Sequence, residues 1–176
     1  MTTEHKILFT GVAGAGKTTA IASVSEITPM RTDVLNTDAS LGKATTTVGL
    51  DYGELTLEGG DKLRLYGTPG QARFSFMWDI VGKGALGVVI LVDNSRPDPL
   101  ADLDVYLKGF KSLIQEASCV VAIGRLETHP KPDLEDFANH LHANGVLCPV
   151  LPTDVRDRQQ VSQLLDLLFL QLEAKM

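Results

Sequence analysis

The sequence predicts an α/β fold: a mostly parallel six-stranded sheet, covered by helices on both faces, with one antiparallel edge strand. Three observations lead there. Apolar runs alternate with amphipathic ones from end to end, the pattern of strands joined by right-handed crossovers. Ala85 to Val92 reads ALGVVILV, an unbroken apolar run of the kind that parallel strands buried on both faces require. Gly59-Gly60 separates two segments that alternate apolar and polar residues, which marks a single hairpin.

Taken in order, Lys6 to Thr10 (KILFT) is the first strand and Gly16 to Ile27 a helix built around Ala20, Ile21 and Val24. Thr28 to Thr47 is polar, carries Pro29 and ends in consecutive threonines, so it is expected to be irregular. An irregular stretch of that length inside a domain is usually functional. Val48 to Leu57 and Lys62 to Tyr66 form the hairpin, and a helix through Trp78 and Ile80 follows Gly67-Thr-Pro-Gly70. Beyond the strand at 85–92, helices are expected at Leu100 to Gln115, Leu134 to Ala143 and Gln159 to Ala174. The strands between them are Cys119 to Ile123 and Val146 to Leu151. The last helix shows one apolar face, with Val161, Leu164, Leu165, Leu168 and Leu172.

With 176 residues, 44% hydrophobic and 22% charged, the chain has the length and composition of one globular domain. A net charge of −6 argues against nucleic acid as a partner. No apolar run approaches the roughly 20 residues that cross a bilayer, and Met1 to Lys6 leads straight into a strand, so neither a transmembrane segment nor a signal peptide is expected. The ending Glu173-Ala-Lys-Met176 offers no prenylation box, and a cytoplasmic location is expected. Cys119 and Cys148 read as reduced, buried thiols. His140 and His142, two apart on a helix, face different ways and cannot easily chelate a metal together.

Ligands of such sheets bind where the loops gather at the carboxyl ends of the strands. The first of these loops is Gly11-Val12-Ala13-Gly14-Ala15-Gly16-Lys17-Thr18, a full match to G-x-x-x-x-G-K-[ST] between a strand and a helix. Gly14 and Gly16 let the backbone wrap a phosphate with its N–H groups turned inward, and the helix start adds its positive end. Lys17 then faces the β- and γ-phosphates, and the Thr18 hydroxyl is a ligand for Mg²⁺. Thr19 follows at the same helix start.

Across the whole chain the loops resemble those of the Ras-like small GTPases. Thr46-Thr47-Val-Gly-Leu-Asp-Tyr52 is similar to the segment that closes over the γ-phosphate in Rab-type proteins, which implies Thr47 as a ligand of Mg²⁺. Leu65-Tyr-Gly-Thr-Pro-Gly-Gln-Ala-Arg-Phe74 resembles the second switch, which implies that Gln71 positions the attacking water and that the Gly70 N–H bonds the γ-phosphate. The Gly-Thr-Pro-Gly-Gln stretch and the aromatic residues after it, Phe74 to Trp78, look like a bacterial branch associated with gliding motility and with roadblock-domain proteins. The resemblance implies one Ras-like P-loop NTPase domain over residues 1–176, a three-layer sandwich that takes GTP or GDP with Mg²⁺. It also implies a roadblock-domain partner.

This chain departs from the Ras pattern in three places. The aspartate that ends the third strand is Gly67 here. Loss of such an outer group typically costs about 10- to 100-fold in metal affinity or activity. The guanine-reading Asn-Lys-x-Asp is Gly124-Arg125-Leu126-Glu127, in which Glu127 keeps a carboxylate and Arg125 a planar cation for the base. The last loop has Thr153-Asp154-Val155-Arg156 in place of Ser-Ala-Lys, and the resemblance implies that the Val155 N–H can still address the guanine carbonyl. GTP is the favoured ligand by resemblance, with ATP open. For hydrolysis, Gln71 and Lys17 are the candidate catalytic residues, and Arg31 or Arg73 the candidate arginine finger in cis. Three functions are consistent with these residues: a switch with slow, partner-stimulated hydrolysis, a degenerate nucleotide-binding module that engages proteins, and a small-molecule kinase.

Overall fold

A computed structural model describes residues 3–36, 46–70 and 72–175, with backbone alone at 32–36, 46–48 and 72–74. A central strand, β1 (Glu4–Gly11), is flanked by parallel neighbours β4 (Lys62–Gly67) and β5 (Gly87–Asp93). Outward from β5 come β6 (Ser118–Gly124) and β7 (Val150–Pro152), also parallel. On the other side β3 (Thr46–Thr56) pairs antiparallel with β4, and β2 (Met30–Asn36) antiparallel with β3. The sheet is therefore seven-stranded, in the order β2-β3-β4-β1-β5-β6-β7.

Six strands were expected; β2 corrects that count. Its residues fall in the stretch predicted as irregular, because an edge strand needs few core side chains. Met30 and Arg31 are exposed, and the pairing is made by backbone, Met30 opposite Tyr52 through Asn36 opposite Thr46. The antiparallel strand β3 consequently lies one place in from the edge.

Helices cover both faces. α1 (Lys17–Val24) and α6 (Arg158–Ala174) share one, packing Ile21, Val24, Leu164 and Leu168 against Ile7, Phe9, Val89 and Leu91. α2 (Trp78–Gly82), α3 (Pro99–Gly109), α4 (Lys111–Glu116) and α5 (Leu134–Ala143) contribute to the other, where Trp78, Leu103, Phe110 and Phe137 meet Leu8, Val88, Ile90 and Val121. Alternate residues of β5 thus serve opposite cores, the physical reason that its sequence is apolar throughout. The arrangement is the three-layer α/β sandwich that the sequence predicted.

Helix boundaries follow local chemistry. α5 carries a capping box, with the Asp133 carboxylate accepting from the Asp136 N–H and the reverse bond also made. α6 starts at Asp157, whose side chain accepts from the Gln159 and Gln160 N–H groups. α1 ends at Val24, before the predicted Ile27, because the chain turns to bond β3: the Glu26 N–H donates to the Glu54 carbonyl at 2.7 Å. The helix predicted over 100–115 is broken at Phe110. A Cβ at Gly109 would collide with the Trp78 ring, which stacks on Phe110 and Tyr106. A 3-10 turn (Ala72–Met77) leads into α2.

Phe137 is completely buried between α5 and the sheet, whereas Leu147 is 89% exposed ahead of β7. Phe137→Ala is expected to cost about 3–5 kcal/mol of unfolding free energy, and Leu147→Ala no more than about 0.5 kcal/mol. Urea denaturation followed by circular dichroism checks both.

Candidate nucleotide-binding site

β1 ends at Gly11 and α1 starts at Lys17, so the intervening loop is at the carboxyl edge of the sheet. Gly11, Gly14 and Gly16 have φ of +143°, +85° and +107°, conformations that side chains rarely adopt. Gly14 faces open space, with nothing within 4 Å of a Cβ built there. Gly16 is pressed on Val155, whose Cγ2 would be 2.8 Å from such an atom. The Lys17 ammonium is beneath the loop and donates to the Gly11 carbonyl at 2.6 Å and the Val12 carbonyl at 2.9 Å. Burial lowers its pKa to about 8, opposed by the nearby Asp51 charge. Here are a cation, the left-handed turns of a glycine loop and a helix start within one turn of chain, an arrangement suited to a polyphosphate.

From this loop a cleft of about 880 Å³ runs to the loops after β6 and β7. It is lined by Gly14, Ala15, Gly16 and Thr19 at the phosphate end and by Arg125, Glu127, Asp154 and Val155 at the other. The cleft thus joins part of the predicted phosphate loop to the predicted base-side residues, while Lys17 and Thr18 are not among its lining. Arg125 has φ +63° and its guanidinium is 2.7 Å from Asp93 at the end of β5. Burial pushes the Asp93 carboxyl up, but bonds from Ser95 and Arg125 outweigh it and hold the group below its ordinary range. Arg156 binds the Asp154 carboxylate through Nε and Nη2 at 2.9 and 2.8 Å, holding it at about 2. Thr153, at the end of β7, is buried, and its hydroxyl is without a partner among the described residues.

The loop after β4 rests on the phosphate loop. A Cβ at Gly70 would be 2.5 Å from the Ala13 nitrogen and 2.8 Å from both the Gly11 oxygen and Lys17 Nζ, so only glycine fits. The Gly70 carbonyl accepts the Tyr106 hydroxyl at 2.9 Å, and the Pro69 carbonyl accepts the Trp78 indole N–H at 3.4 Å. Burial, with the Asp102 charge, pushes the Tyr106 phenol up to about 12, so it stays a donor. Thr10 and Thr68 join the two loop bases at 2.7 Å.

Not every predicted residue comes to this centre. Gln71 lies outside the described residues, as do the side chains of Thr47 and Arg73. Arg31 is on β2, its Nη2 donating to the Gly49 carbonyl of β3 at 3.4 Å. Thr18 is exposed at the start of α1 and donates its hydroxyl to Asp51 Oδ2 at 2.6 Å. The hydroxyl oxygen keeps its lone pairs for a cation, and such hard oxygen donors suit Mg²⁺. Among the described residues no cluster of three His, Cys, Asp or Glu side chains could hold a metal ion. Sequence reasoning missed Asp51 and Asp93. The first was legible by counting back through the hairpin, whose turn bonds Leu57 to Asp61 and so sets Asp51 opposite Gly67.

Four curated proteins frame this geometry. An uncharacterized protein of Methanocaldococcus jannaschii is 30% identical over 96 residues, 53% of each chain. The Ras-related protein RABC2a of Arabidopsis thaliana is 27% identical over 180 residues, 96% of this chain and 78% of that protein. This chain is a distant relative of Ras-related Rab proteins. Rab-8A of Gallus gallus, 25% identical over 161 residues, covers 90% of the chain and 60% of its own length. Rab-11B of Dictyostelium discoideum is 24% identical over 135 residues, and the chain spans 54% of it. The first of these relatives is likewise matched over only about half its length. No protein-family profile matches the chain. The similarity to Rab proteins and the seven-stranded sheet agree with a Ras-like P-loop NTPase fold.

Lys17 gives the site a pH signature. Phosphate oxygens beside the ammonium raise its pKa on binding, so the complex holds the proton that the free protein loses above about 8. Affinity for GDP with Mg²⁺ is expected to be full below that pH and to fall towards tenfold per unit above it, roughly tenfold by pH 9. Calorimetric titrations between pH 7 and 9 check the slope, and a flat profile would count against a Lys17–phosphate contact.

Proposed function

We propose that this chain is a small GTP-binding switch in the cytoplasm, with slow intrinsic hydrolysis that a protein partner stimulates. The observation that carries the reading is the contact of Gly70 with Ala13 and Lys17 across two loops. A γ-phosphate, present in GTP and absent from GDP, would part these two loops, so their contact differs between the two nucleotide states, which is what a switch requires. The link continues from Gly70 and Pro69 to Tyr106 and Trp78, so a shift of this loop is passed to the α2–α3 surface.

In this reading the loop N–H groups from Val12 to Thr18 and the Lys17 ammonium hold the phosphates, while Thr18 and Thr47 supply oxygen ligands for Mg²⁺. The metal, when bound, neutralises charge on the β- and γ-oxygens. Gln71 orients the water, and Arg31 or a residue from the partner serves as the arginine finger. Glu127 takes the guanine N–H groups, Val155 the carbonyl, and Arg125 and Asp154 flank the base. A roadblock-domain protein is the proposed partner, on family likeness alone. Unaided turnover is expected on the order of 10⁻⁴ per second.

A second reading, a nucleotide-holding module that binds proteins without hydrolysis, is favoured by one observation. Gly124 offers the base no side chain, and Arg125 is tied to Asp93. Trp78, the only tryptophan, separates the two readings. A switch is expected to show different Trp78 fluorescence with GDP and with a non-hydrolysable GTP analogue, Mg²⁺-dependent and not reproduced by ATP. Identical spectra for GDP and the analogue, with no phosphate release over hours, would favour the module.

A further inference from the structure

The position that ends β4 is Gly67, and a carboxylate stands beside it from the neighbouring strand. Asp51 of β3 is in register with Gly67, and cross-strand partners share one face of a sheet. A Cβ at Gly67 would be 3.2 Å from Asp51 Cβ and 3.4 Å from Asp51 Oδ2, with Ile21 Cδ1 also at 3.2 Å. Asp51 thus crowds the space that a side chain at position 67 would need, so such a side chain would have to displace Asp51 and Ile21 by a few tenths of an ångström, and β3 provides the carboxylate there.

The orientation of that carboxylate is also set. Its Oδ2 accepts the Thr18 hydroxyl at 2.6 Å, so it is one hydrogen bond from the oxygen proposed to ligate Mg²⁺. Its charge also acts on Lys17. The ordinary alternative is a cross-strand ion pair with Arg31, the residue opposite Asp51 on β2. Among the described contacts Arg31 turns elsewhere, its Nε 2.7 Å from where a Cβ at Gly49 would be and its Nη2 bonded to the Gly49 carbonyl.

We infer that Asp51 is the outer carboxylate of the Mg²⁺ site, moved by one strand from the end of β4 to β3 and acting through Thr18 and metal-bound water. This rests on the proposed nucleotide-binding function and names the positioning residue of that site. Transfer between strands is possible because adjacent strands are about 4.8 Å apart, well within the compass of an aspartate side chain and one water.

The test is the Mg²⁺ dependence of release of a fluorescent GDP analogue, for the wild type, Asp51→Asn, and the exchange Asp51→Gly with Gly67→Asp. Asp51→Asn is expected to raise the half-saturating Mg²⁺ concentration about 10- to 100-fold, with release in excess chelator unchanged. The exchange variant is expected to recover most of the wild-type Mg²⁺ response. An unaltered Mg²⁺ response in Asp51→Asn overturns the inference while leaving nucleotide binding in place. Faster release in chelator as well as in Mg²⁺ overturns it too, because Asp51 would then be supporting the loop alone. Failure of the wild type to hold the analogue under either condition would overturn the nucleotide-binding function itself, and the inference with it.

Discussion

A buried ammonium must be surrounded by oxygen or give up its proton, and at Lys17 the oxygens come from the backbone of its own loop. Turning the Gly11 and Val12 carbonyls in towards Nζ constrains the rest of the loop. The chain has to pass through left-handed conformations at Gly14 and Gly16, and Gly11 has to approach the Leu91 carbonyl of β5 more closely than a Cβ would allow. The loop is therefore seated by the sheet on one side and by Val155 on the other, and α1 starts in the only direction left to it. Burial lowers the Lys17 pKa to about 8, which leaves the group charged at neutral pH but close to the limit. A buried cation of this kind gives the loop a preference for negative charge.

What rests on the loop inherits its position. Gly70 fits against Ala13 and Lys17 because it has no side chain, and its carbonyl is held by Tyr106, a phenol that burial keeps protonated. Tyr106 and Phe110 both stack on the Trp78 ring, at centroid distances of 5.1 Å each. The same ring accounts for the break between α3 and α4, because it occupies the space beside Gly109. The packing of these rings and the seating of the Gly70 loop are thus one arrangement.

The charges around the cleft are arranged in pairs rather than left open to the ligand. Arg125 is bound to Asp93, Arg156 to Asp154, and Thr18 to Asp51. Each pairing satisfies a polar group at the rim of the cleft and fixes its direction. The first two pairs are at the base end, where the Ras pattern is weakest. Held there by their acidic partners, the arginines are expected to contribute their planar faces more than their charge.

Much of this was determined by the amino-acid sequence alone. The phosphate loop, the helix after Asp133 and the two-sided apolar strand β5 all depend on residues within a few positions of one another, so pattern and spacing were sufficient; α6 starts one residue before the expected Gln159, behind its Asp157 cap. Residues 134–143 were legible to the residue because a capping box marks one end and Asn144-Gly145 the other. The edge strand β2 was not, since backbone pairing to β3 makes it and its side chains carry little pattern. Neither was the break at Phe110, which a tryptophan from another helix imposes. Asp51 shows the division most clearly. Its identity and its register in the hairpin could be counted, but its bond to Thr18, 33 residues away in the chain, exists only because α1 crosses that face of the sheet. Local sequence sets which groups are present and how each segment turns; which of them lie within 3 Å of one another is decided by the packing of segments distant in sequence.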